Sequence, residues 1–110
     1  MIKNKISIVI LSYNQVNFLK ETIDSVINQN YDNTEYIIVD GGSTDGSRDL
    51  ILKYDKDLKI IFQEKNNGPA DALNIGFKNS TGEICGYINS DDFYLKNILI
   101  KVNNIFNKDP

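Results

Sequence analysis

The chain has 110 residues, enough for one domain with a single core. Hydrophobic residues make up 41% and charged residues 25%, and 12 basic against 15 acidic side chains leave a formal net charge of −3, which excludes bulk attraction to nucleic acid or to an anionic membrane. The absence of histidine removes Ser-His-Asp and Cys-His catalysis and every histidine metal site, and the single cysteine excludes an internal disulfide. A phosphate-bearing ligand therefore needs a local device, such as a metal ion or a helix N-terminus. No apolar run approaches the about 20 residues that span a bilayer. Met1 to Lys5 lead into a strand-like run without a small-residue cleavage site, so we expect no signal peptide and a cytoplasmic chain.

Ile6 to Leu11 is a β-branched apolar run and predicts a strand buried on both faces. After Ser12-Tyr13-Asn14-Gln15, the stripe Phe18, Leu19, Thr22, Ile23, Val26 and Ile27 predicts a helix, which Asn28 to Asn33 ends. Tyr36 to Val39 is a second strand, closed by Asp40-Gly41-Gly42. Ser43 or Thr44 is placed to cap a helix whose apolar face is Leu50, Ile51 and Tyr54. Leu58 to Phe62 is a third strand; Asn66-Asn67-Gly68-Pro69 is a turn, and Pro69 opens a helix through Phe77. After Thr81-Gly82, Ile84 to Ile88 is a fourth strand, ending in Asn89-Ser90-Asp91-Asp92. Ile98, Leu99, Val102, Ile105 and Phe106 stripe a last helix, and the chain stops at Pro110. The alternation of unbroken apolar strands with helices predicts an α/β fold: a doubly wound, mainly parallel sheet with helices on both faces.

Ligands of open α/β sheets bind outside the carboxyl ends of the strands, which points to Ser12-Tyr13-Asn14, Asp40-Gly41-Gly42-Ser43 and Asn89-Ser90-Asp91-Asp92. A carboxylate at Asp40 sits at the sheet rim, ready to accept an N–H or hydroxyl of a ligand, or it merely opens a turn that the glycines permit. Asp91 and Asp92 bring two adjacent charges that suit a hard cation carrying phosphates; the plainer alternative is a helix cap. In the Pro69 helix, Asp71 and Asn74 are unusual choices away from a site, whereas Ala72 and Gly76 fit close packing on the sheet. Cys85, mid-strand, is expected to be an inert core thiol, and Phe18, Tyr31, Phe62, Phe77 and Phe106 core or boundary packing. Neither a G-x-x-x-x-G-K-[ST] loop nor a G-x-G-x-x-G turn occurs.

Five segments in order, Ile8 to Asn14, Ile38 to Ser47, Asn67-Gly68 with Ala72 to Gly76, Thr81-Gly82-Glu83 and Asn89 to Asp92, resemble family 2 glycosyltransferases of GT-A fold, over essentially Ile6 to Leu99. The resemblance implies transfer of a sugar, with inversion, from a nucleotide-sugar donor, most commonly UDP-linked, to an acceptor hydroxyl. It implies a donor nucleotide site at Ser12, Tyr13, Asn14, Asp40, Gly42, Asp71 and Asp91, with Tyr13 against the nucleobase and Asp40 on the base or ribose. It implies a divalent metal, Mn²⁺ or Mg²⁺, on Asp92 and Asp91, although position 89 is Asn where many relatives have the first Asp of the metal motif. A carbohydrate or lipid-linked acceptor and a setting in polysaccharide or glycoconjugate synthesis follow in the same way. Family members continue into an acceptor half that supplies the catalytic base, so we expect residues 1–110 to be the donor-binding portion of a longer enzyme, with the base beyond Pro110. We further expect membrane association only through partners or a further segment, and an exposed last-helix face available for self-association. A second reading is a non-catalytic nucleotide-binding or interaction module without the acceptor half. A phospho-acceptor signalling domain would require an acidic pair after the first strand, where Ser12-Tyr13-Asn14 stands.

Overall fold

The computed structural model describes residues 3–92, 94 and 97–108. Elements alternate as β1 (Ile6–Ser12), α1 (Val16–Ile27), β2 (Thr34–Asp40), α2 (Ser47–Leu52), β3 (Lys59–Phe62), α3 (Pro69–Lys78), β4 (Ile84–Asn89) and α4 (Ile98–Lys108). The four strands are parallel and lie in the order β3-β2-β1-β4. The chain thus steps outward from β1 to β3 and returns across the sheet to place β4 on the other side of β1. Register aligns the strand ends: Ser12 pairs with Asp40, Leu11 with both Val39 and Asn89, and Asp40 with Phe62.

All seven β1 residues are buried, as an unbroken apolar strand flanked by two others requires. Alternate side chains point to opposite faces. Ile6, Ile8 and Ile10 pack with Leu19, Ile23 and Val26 of α1, Ile51 of α2 and Leu99 of α4. Val9 and Leu11, with Ile37 and Val39, pack beneath Ala72 and the partly buried Leu73, Ile75 and Phe77 of α3. Three helices therefore cover one face and α3 covers the other, the doubly wound arrangement expected. Val9 and Gly76 meet where a Cβ on the glycine would overlap the valine, which is why the α3 sequence carries a glycine there.

Four local expectations are corrected. α2 begins at Ser47 behind Gly46, which has φ +97° and no side chain to cap it; the Ser47 N–H goes to Asp45 instead, and Ser43 and Thr44 are engaged by Asn14. Cys85 is exposed, because it shares a sheet face with Val9 and Leu11 but lies on edge strand β4, beyond the reach of α3. Phe18 is about half exposed, at 51%, since the α1 stripe that reaches the core runs through Leu19, Thr22, Ile23 and Val26. Phe106 is also exposed, together with Ile105, while Leu99 and Asn103 hold α4 to the body. Asn103 accepts the Asn4 backbone N–H at 2.9 Å and its side-chain amide at 3.0 Å. Pro110 lies outside the described residues.

Candidate donor-binding site

Reversal of strand order between β1 and β4 opens a cleft at the carboxyl ends of the strands. Its volume is about 330 Å³, within the range of small-ligand clefts. The end of β1 and the loop after it contribute Leu11, Ser12 and Tyr13, the end of β2 and the loop after it Val39 and Gly41, the β4 end Asn89, Ser90 and Asp91, and the β3–α3 turn Asn66, Gly68 and Pro69.

The loops after β1 and β2 are laced together by backbone–side-chain bonds. The Asn14 N–H donates to Ser43 Oγ at 2.9 Å, and Asn14 Oδ1 accepts the Thr44 N–H at 2.8 Å. Asp45 serves two helix starts: Oδ2 accepts the Val16 N–H of α1 at 3.0 Å, and Oδ1 accepts the Ser47 N–H of α2 at 3.1 Å and the Ser47 hydroxyl at 2.6 Å. Gly41 donates its N–H to the Ser12 carbonyl at 2.9 Å, continuing the β1–β2 ladder by one residue. These bonds hold Tyr13 at the cleft with its ring half exposed, at 48%.

Asp40 departs from the rim position expected for it. Its carboxylate is wholly buried beneath the loop that follows it. Oδ1 accepts the N–H groups of Gly42 at 3.1 Å and Ser43 at 2.9 Å and the Arg48 Nε–H at 3.2 Å, and Oδ2 accepts the Ser12 hydroxyl at 3.4 Å. Its sequence neighbours Val39 and Gly41 reach the cleft, whereas its own oxygens face inward. Of the other predicted site residues, Ser12, Tyr13 and Asp91 line the cleft, while Asn14, Gly42, Asp71 and Asp92 lie outside its wall. Asp71, in the first turn of α3, accepts the Gln63 side-chain amide at 3.2 Å.

The β4 end is held from α1. Thr22 Oγ is shared between the carbonyls of Ser90, at 2.9 Å, and Asp92, and the Asp92 N–H donates to the Asn89 carbonyl at 3.0 Å. Both Asp91 and Asp92 are exposed. Burial, then the nearby charges of Asp92 and Tyr87, pushes the Tyr94 hydroxyl up to about 12, so it remains protonated and donates to the Tyr87 carbonyl at 3.0 Å. Among the described residues no group of three or more Asp, Glu, Cys or His gathers into a self-contained ion site. Two exposed carboxylates instead match a hard cation that completes its shell with water and ligand phosphates.

Asn66, Gly68 and Pro69 were not among the predicted site residues, and the rule that placed the others applies equally to them, since they follow β3. By contrast Thr81-Gly82-Glu83 falls at the opposite, amino edge of the sheet. There the Thr81 N–H and the Ser7 hydroxyl donate to Glu35 Oε1, each at 2.8 Å, and the Gly82 N–H donates to Ser7 Oγ at 2.8 Å.

A parallel sheet whose strand order reverses at a cleft outside the strand carboxyl ends defines an open α/β domain with a ligand site at that edge. Comparison with known proteins narrows the class: the profile of glycosyl transferase family 2 matches residues 7–110, and the chain belongs to that family. It is 41% identical over 96 residues to an uncharacterized glycosyltransferase of Rickettsia bellii, covering 86% of this chain and 14% of that protein. It is 34% identical over 102 residues to the putative teichuronic acid biosynthesis glycosyltransferase TuaG of Bacillus subtilis, covering 90% of this chain and 40% of that one. The crystal structure of S. aureus TarS 1-349 superposes with a TM-score of 0.88 at 28% identity, over 94% of this chain and 32% of that chain, and fixes the fold as GT-A. TarS structures in complex with UDP and UDP-GlcNAc superpose with TM-scores of 0.83 and 0.84. The chain therefore spans 14–40% of the length of these relatives.

Proposed function

We propose that residues 1–110 form the donor-binding part of an inverting glycosyltransferase that takes a UDP-linked sugar. The observation that carries the reading is the convergence of Ser12, Tyr13, Gly41 and Asp91 on one cleft at the strand carboxyl ends. Family membership and the UDP complexes of TarS support it.

In this reading the nucleobase packs against the exposed Tyr13 ring, and the backbone of Gly41, bare of a side chain, admits the planar group beside it. Ser12 lines that wall, and Asn14 supports it from outside, its backbone N–H donating to Ser43 and its side-chain oxygen accepting from Thr44. Gly42 and Asp40 act from beneath it, and Asp71 supports the opposite wall through Gln63. The diphosphate extends toward Asp91 and Asp92, the two residues that would hold a divalent cation, Mn²⁺ or Mg²⁺. When bound, such an ion stabilises the negative charge that develops on the leaving diphosphate. In the transfer itself, the acceptor hydroxyl oxygen forms a bond to the anomeric carbon, the bond from that carbon to the phosphate oxygen breaks, and a base takes the hydroxyl proton. This reading gives Asp91, the carboxylate among the described cleft-lining residues, to the cation, and assigns the base to the acceptor half that the family resemblance implies.

The acceptor is a carbohydrate or lipid-linked hydroxyl, in the synthesis of a surface polysaccharide or glycoconjugate; the naming of TuaG supports that setting. We place the reaction on the cytoplasmic side, where nucleotide sugars are made. None of the described helices is long and apolar enough to cross a membrane. Exposed Ile105 and Phe106 on α4 support contact with the remainder of a longer protein or with a second copy.

Calorimetric titration of the chain with UDP and GDP, with and without Mn²⁺, tests the assignment. Saturable UDP binding that needs Mn²⁺ and is lost in Asp92→Ala is the expected result. Binding of equal strength with Asp92→Ala contradicts the metal role, and no binding of either nucleotide contradicts the donor site.

A further inference from the structure

We propose that Arg48, which does not line the cleft, sets the position of the cleft floor from behind; the inference rests on the donor reading above. The Arg48 Nε–H donates to Asp40 Oδ1 at 3.2 Å, an Nη–H donates to the Gln63 carbonyl, and the guanidinium lies 4.7 Å from the centre of the Phe62 ring. One side chain of α2 thus ties together the ends of β2 and β3.

Each tie leads to a cleft wall. Asp40 passes the restraint to Gly42 and Ser43 through their N–H groups and so fixes Gly41. Gly41 sits between two cleft-lining side chains: a β-carbon there would touch both Tyr13 Cδ1 and Asn66 Oδ1, each at 3.4 Å. Gln63 passes the restraint the other way, its side-chain amide reaching Asp71 between the cleft-lining Pro69 and Ala72.

A carboxylate with no solvent exposure must be matched by donors or a cation. Arg48, with its side chain 34% exposed, supplies the positive charge from the far side. Without it Asp40 keeps two backbone donors and one long hydroxyl bond. The element that yields in response is the Gly41–Ser43 loop, because β2 is laddered on both sides whereas, apart from Asp40, the loop is held by single bonds from Gly41 to Ser12 and from Asn14 to Ser43. Arginine suits the post because its fork reaches two acceptors at once, where lysine reaches them one at a time. Arg48 is therefore a positioning residue, acting on the donor through Asp40.

The test compares wild type, Arg48→Met and Arg48→Lys by UDP titration with Mn²⁺ well below each protein's unfolding midpoint, together with amide exchange at Gly42 and Ser43. The expected result is affinity about tenfold weaker in Arg48→Met and about threefold weaker in Arg48→Lys, with amide protection falling in the same order. A role confined to stability lowers the midpoint and leaves affinity unchanged, and that result, or lost protection at wild-type affinity, overturns the inference. If Arg48→Met does not fold, Arg48→Lys alone decides by the same criterion. A wild-type chain that binds neither UDP nor GDP overturns the donor reading and this inference with it.

Discussion

Gly76 of α3 and Val9 of β1 meet without room for a methyl group: a Cβ on Gly76 would lie 2.8 Å from Val9 Cγ2 and closer still to Cγ1. Helix propensity alone favours Gly76→Ala by about 1 kcal/mol, whereas overpacking opposes it by about 1–3 kcal/mol. We expect the steric term to win and the thermal midpoint of Gly76→Ala, read by circular dichroism, to fall by several degrees. Adding Val9→Ala to the variant should recover part of the loss, because the two sites touch. A midpoint at or above wild type would mean that the helix can step away from the sheet.

Asp45 joins the first turns of α1 and α2 with one carboxylate. Asp45→Ala orphans donors at both helix starts and should cost about 1–2 kcal/mol in urea denaturation. A change within experimental error would show that water replaces the carboxylate at both ends.

Tyr13 is half exposed and packs in neither core cluster, so its removal should be nearly neutral for folding. Stacking of a base on an aromatic ring contributes about 1–3 kcal/mol, so Tyr13→Ala should weaken UDP binding about tenfold, and Tyr13→Phe should retain it. Equal affinity in Tyr13→Ala places the base elsewhere.

Burial alone would push the Glu35 carboxyl up, but the Thr81 N–H, the Ser7 hydroxyl and the charges of Lys5 and Lys59 hold it below the usual carboxylate range. A depressed folded-state value means that its stabilising contribution is present above the unfolded value and is lost as pH falls through the folded one. Wild type should therefore lose stability on acidification below the ordinary carboxyl value of 4.5 more steeply than Glu35→Gln. Parallel stability–pH curves for the two proteins would exclude Glu35 as a source of acid sensitivity.

The layering was legible because it depends on periodicity. The apolar runs of β1 and the four-residue spacing of Leu19, Thr22, Ile23 and Val26 each have one burial solution once the strands are parallel. The edge was not legible: nothing in Ile84-Cys85-Gly86-Tyr87 tells that α3 stops short of β4, so Cys85 reads as core. For the site, strand ends announced where the cleft lies, but not which way a side chain turns there. Asp40 turned inward because the Gly42 and Ser43 N–H groups and Arg48, eight residues away, offer it donors under the loop. Asp45 and Arg48 escaped notice because their partners, Val16 and Gln63, belong to other segments that only the folded chain brings near.

Setting β4 beside β1 has a consequence for biosynthesis. The Tyr13 side of the pocket comes from the end of β1 and the Asp91 side from the end of β4, with three crossovers between them in the chain. Closing so distant a pairing is slow relative to local helix formation. A nascent chain can thus assemble β1, β2 and β3 and still be unable to grip a nucleotide, so the onset of ligand affinity marks the arrival of the fourth strand.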